Sequence, residues 1–177
     1  MFKQHLFNVQ DFMLMAEAGL FQDQKVELLE GIIVDMSPAS PLHEHQLDSL
    51  MTRFVLALAG SALVRVEKGI DLADPYYLPH PDLAIVKVKD YHRARPQAED
   101  IYLIIELAYS SLDSDLKNKA RRYAKAAILE YWVADLASST WHIHQKPHEG
   151  RYHIIKQLAF RQAFAPLAFP HISQVWL

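Results

Sequence analysis

Two apolar segments that each carry an acidic residue constrain the fold of this chain most strongly. Asp82 opens the run DLAIV (82–86) directly after a proline, and Glu106 closes the run IYLIIEL (101–107). Short apolar runs of this kind predict strands that are buried on both faces. A carboxylate on such a strand is costly unless a cation or hydrogen-bond donors meet it. If the two strands pair antiparallel, Asp82 and Glu106 converge at one edge of a sheet.

A predicted helix over about 113–127 follows the Glu106 strand and adds a positive charge to this edge. Its apolar stripe, which we expect to face the sheet, consists of Leu116, Ala120, Tyr123 and Ala127. Asp115 and Lys119 lie four residues apart on the flank of that stripe, from where a side chain can reach the sheet edge. Two strand carboxylates and a lysine form the kind of divalent-cation site that hydrolyses phosphodiesters. The alternative is an ordinary surface Asp–Lys pair.

Composition limits the class of protein. A length of 177 residues with 51% hydrophobic content predicts a single domain over residues 1–177. The chain has no cysteine, which excludes disulfides and cysteine-ligated metal sites. No signal peptide is recognisable, and no apolar run approaches the roughly 20 residues of a membrane span. We therefore expect a cytoplasmic protein without a membrane partner.

The charge balance argues against a protein that grips nucleic acid through overall positive charge, because the net charge is -3. Lys117, Arg121 and Lys125 nevertheless follow one another at helical spacing. A solvated helix face is the simplest interpretation of such a row. DNA binding is therefore inferred from the chemistry of the acids and not from charge.

The order of the predicted elements indicates an α/β fold with a mixed sheet. Turn and capping signals divide the chain into short elements without an internal repeat or a linker. The predicted helices span about 9–18, 40–59 and 113–127, and the predicted strands span 26–29, 32–36, 64–72, 82–86, 101–107, 130–135 and the hairpin 140–157. The segments 74–81 and 87–100 are predicted to be loops.

Several of these segments, taken in order, resemble a known family. From about residue 9 to the C-terminus, the chain is similar to the "putative restriction endonuclease" domain family, whose members are small stand-alone proteins of the PD-(D/E)xK nuclease superfamily. The segments that carry the resemblance are Glu27 to Gly31 (ELLEG), Met36-Ser37-Pro38-x-Ser40, His43, Pro81-Asp82, Glu106 to Ser111 (ELAYSS), Asp115-xxx-Lys119-xxx-Tyr123 and Glu130-Tyr131-Trp132-Val133-x-Asp135.

The resemblance implies a restriction-endonuclease-like core, in which a central mixed sheet is flanked by helices and accompanied by N-terminal and C-terminal β-hairpins. It also implies an endodeoxyribonuclease that depends on Mg²⁺, with Mn²⁺ as a substitute, and that leaves a 5′-phosphate on its DNA. Asp82, Glu106, the Leu107 carbonyl and Glu27 would hold the metal. Lys119 would orient the attacking water, and Asp115 would position Lys119. Duplex DNA is the expected partner, and a homodimer would suit its two strands.

Four positions leave alternatives open. The lysine usual in the superfamily, two residues beyond the strand glutamate, is replaced by Ala108, so Lys119 on the following helix is the residue that matches. Ala127 stands where the family has glycine, which we expect to affect only the turn. Glu27 either completes the metal shell or points outward from a half-buried strand. His43 is either a site residue or a hydrogen-bonded core histidine.

Other functions stay open as alternatives. An inactive nuclease-fold module that binds nucleic acid or protein would explain Ala108 and the acidic charge balance. A structural homodimer would explain the apolar C-terminal segment FAPLAFPHISQVWL, which could cover a neighbour. A hydrolase triad built on Ser37, Ser40 and His43 lacks the expected G-x-S-x-G elbow. His142 and His144 share one strand face, and two histidines are too few for a closed zinc site, so we expect an exposed polar hairpin face that includes His142, His144 and His148.

Overall fold

The computed structural model describes residues 3–36 and 38–177 and shows a mixed α and β architecture. The helices are α1 (Val9–Glu17), α2 (Pro41–Leu58), α3 (Leu112–Ser114) and α4 (Ala120–Lys125), and a π-helical segment (Asp115–Lys119) joins α3 to α4. The strands are β1 (Val26–Leu29), β2 (Ile32–Asp35), β3 (Leu63–Val66), β4 (Leu83–Val86), β5 (Ile101–Ala108), β6 (Glu130–Asp135), β7 (Thr140–His148) and β8 (Arg151–Ala159). A short 3₁₀ turn (Ala98–Asp100) precedes β5.

Six of these strands form one sheet in the order β3-β4-β5-β6-β7-β8. The β5–β6 pair is parallel, whereas the other neighbouring pairs are antiparallel. Strands β1 and β2 form a separate hairpin. This arrangement confirms the predicted mixed sheet and both hairpins. It also confirms the antiparallel pairing of β4 with β5, in which Leu83 lies opposite Ile105.

The two faces of the sheet bury different helices, because alternate residues of each strand point to opposite sides. Helix α2 covers one face, where Leu50 and Phe54 pack with Trp132. Helix α4 covers the other face, where Tyr123 packs with Ile104. The β1–β2 hairpin packs with α1 in a third cluster that contains Phe12, Val26, Leu28 and Leu78.

Capping residues account for where α1 and α2 begin. Asn8 and Asp11 form a reciprocal capping box at α1. The Ser40 hydroxyl accepts a hydrogen bond from the His43 backbone N–H, and Pro41 occupies the first turn of α2. Among the helices of residues 3–36 and 38–177, none has the combination of length and apolar character that a bilayer crossing requires.

The end of α4 differs from the sequence prediction. The helix stops at Lys125, and Ala127 adopts a left-handed conformation with φ of 59°. The Ala127 N–H donates to the Ala124 carbonyl and the Ile128 N–H donates to the Tyr123 carbonyl, which together form a Schellman motif. Ala127 is therefore exposed, and the prediction that it faces the sheet is wrong. This geometry also explains why glycine suits the position.

The C-terminal segment covers its own chain. Trp176 is fully buried and stacks on Phe54 with 4.0 Å between the ring centroids. Its indole N–H donates to the Phe164 carbonyl at 2.9 Å. The largest side chain of this segment therefore fills the core of its own chain beside α2 and is not available to cover a neighbour.

The histidines of the β7–β8 hairpin do not share one exposed face. His144 is 3% exposed and packs between Tyr131 and Tyr152, with centroid distances of 5.4 and 5.6 Å. Burial lowers the pKa of His144, because no carboxylate compensates the charged imidazolium. The prediction of an exposed polar face is therefore wrong for His144, which is a core residue.

Candidate active site at the edge of strands β4 and β5

The start of β4 lies beside the end of β5, and this places Asp82 against the β5 backbone. The Asp82 Oδ2 atom accepts a hydrogen bond from the Leu107 N–H at 2.7 Å. Residues two apart on a strand point to the same face of a sheet. Asp82 therefore shares a face with Ala84, and Glu106 shares a face with Ile104, and both of these partners pack on the α4 side of the sheet. Both carboxylates therefore lie on the side of the sheet that α4 and the π-helical segment cover.

Glu106 is buried and both of its carboxylate oxygens have a partner. The Tyr123 hydroxyl donates to Oε1 at 3.0 Å, and the Lys119 Nζ atom lies 3.0 Å from Oε2. Burial raises the pKa of Glu106, and the nearby Asp82 carboxylate raises it further, whereas Lys119 opposes both effects. Burial therefore disfavours the charged form of Glu106, and Lys119 is the cation that favours it.

Lys119 reaches this position from the π-helical segment. Its Nζ atom lies 3.1 Å from Asp115 Oδ1, so the ammonium group bridges Asp115 and Glu106. Burial alone would lower the pKa of Lys119, but the carboxylates of Glu106 and Asp115 outweigh it and hold this pKa well above its ordinary value. Single-turn π segments are rare and occur frequently at functional sites.

Asp115 is itself held in place. The Ser111 hydroxyl donates to Asp115 Oδ2 at 2.6 Å, and the Tyr131 hydroxyl donates to the Asp115 carbonyl at 3.2 Å. Asp115 is 1% exposed. Its contact with Lys119 is therefore not the ordinary surface pair that the sequence also allowed.

Glu27 points into the protein from β1. It is 7% exposed, so the alternative in which Glu27 faces outward is wrong. Burial raises the pKa of Glu27 to about 7, Lys119 opposes this shift, and the charges of Asp82 and Asp115 add to it. The same three charged groups thus act on Glu27 as on Glu106.

His43 approaches the same edge from the first turn of α2. Its Nε2 atom lies 3.2 Å from Asp82 Oδ2. This hydrogen bond raises the pKa of His43, and burial opposes it. Ser40 is engaged as the helix cap, and Ser37 lies outside the described residues, so the hydrolase triad gains no support.

Two tyrosines belong to the site although sequence reasoning gave them no role there. Tyr123 donates to Glu106, and its position in the Asp115-xxx-Lys119-xxx-Tyr123 pattern was the available signal. Tyr77 is buried, which raises its pKa, and the charges of Lys119 and Glu106 act on it. The Arg122 guanidinium lies 5.4 Å from the Tyr77 ring centroid. Tyr77 comes from a proline-rich loop, where no periodic pattern indicates burial.

The donor atoms suit a hard divalent cation. Within residues 3–36 and 38–177, no group of three or more histidine, cysteine or acidic side chains is already arranged around one point. A cation would therefore need Asp82, Glu106 and backbone or water oxygens, which is a donor set that Mg²⁺ accepts. Asp115 Oδ1 is buried without a hydrogen-bond donor apart from its ion pair with Lys119. These oxygen donors fit such an ion.

The sequence profile of the Uma2 family, described as "Putative restriction endonuclease", matches residues 9–175. The chain belongs to this family. Uma2 membership agrees with the resemblance that the sequence motifs indicate. None of the curated proteins compared with the chain matches it significantly.

A solved structure supports the fold independently. The crystal structure of a "putative nuclease belonging to DUF820" from Anabaena variabilis matches with a TM-score of 0.72 at 12% sequence identity. The match covers 96% of this chain and 95% of that chain. At this identity the likeness shows the shared fold, and the restriction-endonuclease family assignment rests on the profile match.

Proposed function

We propose that this protein is a Mg²⁺-dependent endodeoxyribonuclease that hydrolyses phosphodiester bonds in DNA. The observation that carries the proposal is the position of Lys119, whose ammonium group lies 3.0 Å from Glu106 at the strand edge where Asp82 directly precedes β4. A lysine from the following helix therefore reaches the carboxylates, although Ala108 occupies the usual lysine position. Family membership supports the same activity.

Asp82 and Glu106 would hold the cation. The Leu107 carbonyl is a third candidate ligand, because the N–H and C=O of a strand residue point to the same side and the Leu107 N–H already meets Asp82. Glu27 would complete the shell directly or through water. When bound, Mg²⁺ would lower the pKa of a water molecule and stabilise charge on the phosphoryl group.

The remaining residues position these groups and supply charge. Lys119 would orient the attacking water and stabilise the negative charge that develops on the phosphoryl oxygens. Asp115 holds Lys119 in place at 3.1 Å, and Tyr123 holds Glu106 at 3.0 Å. His43 holds Asp82 at 3.2 Å and is a positioning residue in this scheme.

A cleavage assay tests the proposal. Wild type, Asp82→Asn and Lys119→Met would be incubated with supercoiled plasmid in Mg²⁺, in Mn²⁺ and in EDTA. We expect nicking by wild type in either metal, no nicking in EDTA, and a loss of at least about 100-fold in each variant. The control is Lys117→Met, which changes an exposed lysine two positions from Lys119.

Equal cutting by wild type, Asp82→Asn and Lys119→Met would refute the assignment of these residues. Calorimetric titration with Mn²⁺ then distinguishes an active nuclease from the alternative of an inactive nuclease-fold module. If wild type does not cut plasmid and shows no Mn²⁺ binding that depends on Asp82 and Glu106, this would support a module that has lost the catalytic activity.

Two finer features are part of the proposal. Duplex DNA is the proposed substrate, and a homodimer in the cytoplasm would present two sites to its two strands. Light scattering at several protein concentrations measures the oligomeric state. A monomer at all concentrations would remove the dimer and leave the proposed chemistry intact.

A further inference from the structure

A basic groove lies along α4, away from the acidic site. It encloses about 770 Å³ and runs between α4 and the turn that connects β7 to β8. Its cationic side chains are Arg121, Arg122, Lys125 and Arg151, whereas Glu149 is the acidic residue in its lining. This balance contrasts with the net charge of -3 for the whole chain. We call this feature the α4 groove.

Much of the positive charge in the α4 groove is unpaired. Lys125 and Arg151 are exposed, and no carboxylate of the described residues lies within 4.0 Å of either cationic group. Arg121 has only a distant partner, since its guanidinium lies 3.8 Å from Glu30. Two unpaired cations and a loosely paired one attract an anionic ligand.

Arg122 has a different part in the α4 groove. It is paired with Glu30 and with Asp74, the latter at 2.9 Å. Its guanidinium also lies over the Tyr77 ring. Arg122 therefore fixes the groove wall and does not offer a free charge.

The packing of the β7–β8 turn against α4 fixes the backbone positions from which the free cationic side chains extend. Glu149 and Gly150 both have positive φ, 50° and 71°, which is the geometry of a tight hairpin turn that matches the strand twist. A Cβ atom on Gly150 would lie 3.9 Å from the Lys125 Cβ, so the turn packs against α4. Arg151, which follows Gly150, is thereby placed across the groove from Lys125.

A second cavity adjoins the α4 groove and extends to Tyr77. It encloses about 680 Å³ and shares Arg122 and Lys125 with the groove. Its lining continues to Tyr76 and Tyr77, and Tyr77 is the residue on which the charges of Glu106 and Lys119 act. Tyr76 is 45% exposed and presents an aromatic surface along this path. The basic groove is therefore continuous with a cavity whose wall includes Tyr76 and Tyr77.

We propose that the α4 groove binds the phosphodiester backbone of the DNA substrate outside the segment that is cut. Spaced cations that extend from a packed helix and turn match the repeating charge of a nucleic-acid backbone, and such contacts position a substrate without reading its sequence. The proposal rests on the proposed nuclease function, because it assigns a second contact region to the same substrate. It also gives a role to Arg121 and Lys125, whose row the sequence alone assigned to a solvated helix face, whereas Lys117 lies outside the groove lining.

Binding without cleavage tests this proposal. A labelled DNA duplex of about 20 base pairs would be titrated by fluorescence anisotropy in EDTA over a series of salt concentrations. We expect Lys125→Glu/Arg151→Glu to weaken binding at least 10-fold. We also expect the slope of log affinity against log salt to fall by about 2, because two phosphate contacts are lost.

The matched control is Lys156→Glu/Arg161→Glu, which makes the same change of charge at exposed positions outside the groove. We expect the control to bind DNA within about twofold of wild type. Thermal unfolding checks that each variant is folded. If the charge reversal prevents folding, Lys125→Gln/Arg151→Gln provides the same test, with the slope again expected to fall by about 2.

The outcomes separate this proposal from the nuclease proposal. A groove variant that binds as tightly as the control overturns the groove assignment, even if wild type cuts plasmid. Weakened binding in the groove variant, together with a wild type that cuts no DNA, supports the groove and refutes the nuclease. A wild type that does not bind the duplex at any salt concentration overturns the groove proposal directly.

Discussion

Replacing Lys119 with methionine is the sharpest single test of the site. The change keeps most of the aliphatic stem and removes the ammonium group that lies 3.0 Å from Glu106 and 3.1 Å from Asp115. Both carboxylates are at least 97% buried. Removing one partner of a buried ion pair typically costs about 3–5 kcal/mol, because the other charge stays buried without compensation.

Proton uptake reduces this cost at low pH. Burial already raises the pKa of Glu106, and the loss of Lys119 should raise it further, because Lys119 opposes the shift. We therefore expect Lys119→Met to lower the free energy of unfolding by about 3 kcal/mol at pH 8 and by less at pH 5. Urea unfolding in EDTA at the two pH values measures the difference.

A double-mutant cycle isolates the Lys119–Glu106 interaction. Glu106→Gln removes the carboxylate charge, so Lys119→Met should cost less in that background, by at least about 1.5 kcal/mol. Lys117→Met is the matched control, because Lys117 pairs with Asp113 on the surface and should contribute under about 0.5 kcal/mol. A loss below about 1 kcal/mol for Lys119→Met, or additive effects in the cycle, would refute the view of Lys119 as the internal counter-ion.

Three further outcomes are expected. Because the pKa of Glu27 is raised from 4.5 to about 7, its contribution to stability is full below pH 4.5 and is lost as the pH rises through 7, by up to about 3 kcal/mol. Urea unfolding of Glu27→Gln in EDTA should lack that fall, and a fall equal to wild type would contradict the assignment. Ala127→Gly should raise the melting temperature by about 2 °C, because glycine tolerates φ of 59°; a lower melting temperature would count against this. Tyr123→Phe should lower stability by about 1–2 kcal/mol and slow plasmid nicking, since Glu106 loses a buried hydrogen bond; unchanged values would exclude a positioning role.

The strands that position the site could be predicted because their patterns are local. The runs that begin at Asp82 and end near Glu106 are continuous and apolar, and an antiparallel pair has only one way to bring those ends together. Asn8 and Ser40 indicate where α1 and α2 begin, because their side chains cap the first turn. Such signals need no knowledge of the rest of the fold.

Other features depended on tertiary contacts that no local pattern carries. The alternation of histidines in β7 predicts a shared face, but not that His144 is enclosed by Tyr131 and Tyr152. The apolar C-terminal segment shows that it must be buried, but not that Trp176 does so within its own chain. Tyr77 lies in an irregular loop, so its burial, where the charge of Lys119 acts on it, follows only from the packing of that loop.

The π-helical segment from Asp115 to Lys119 acts as an inserted residue that the helix has absorbed as one wide turn. If the same residues were wound as regular 3.6-residue turns instead, everything beyond the segment would rotate by about 100° relative to Ser111. The Lys119 ammonium group would then no longer reach Glu106, although the helix itself would still form. In this chain, the reach of the lysine is therefore set by how a single helical turn is wound.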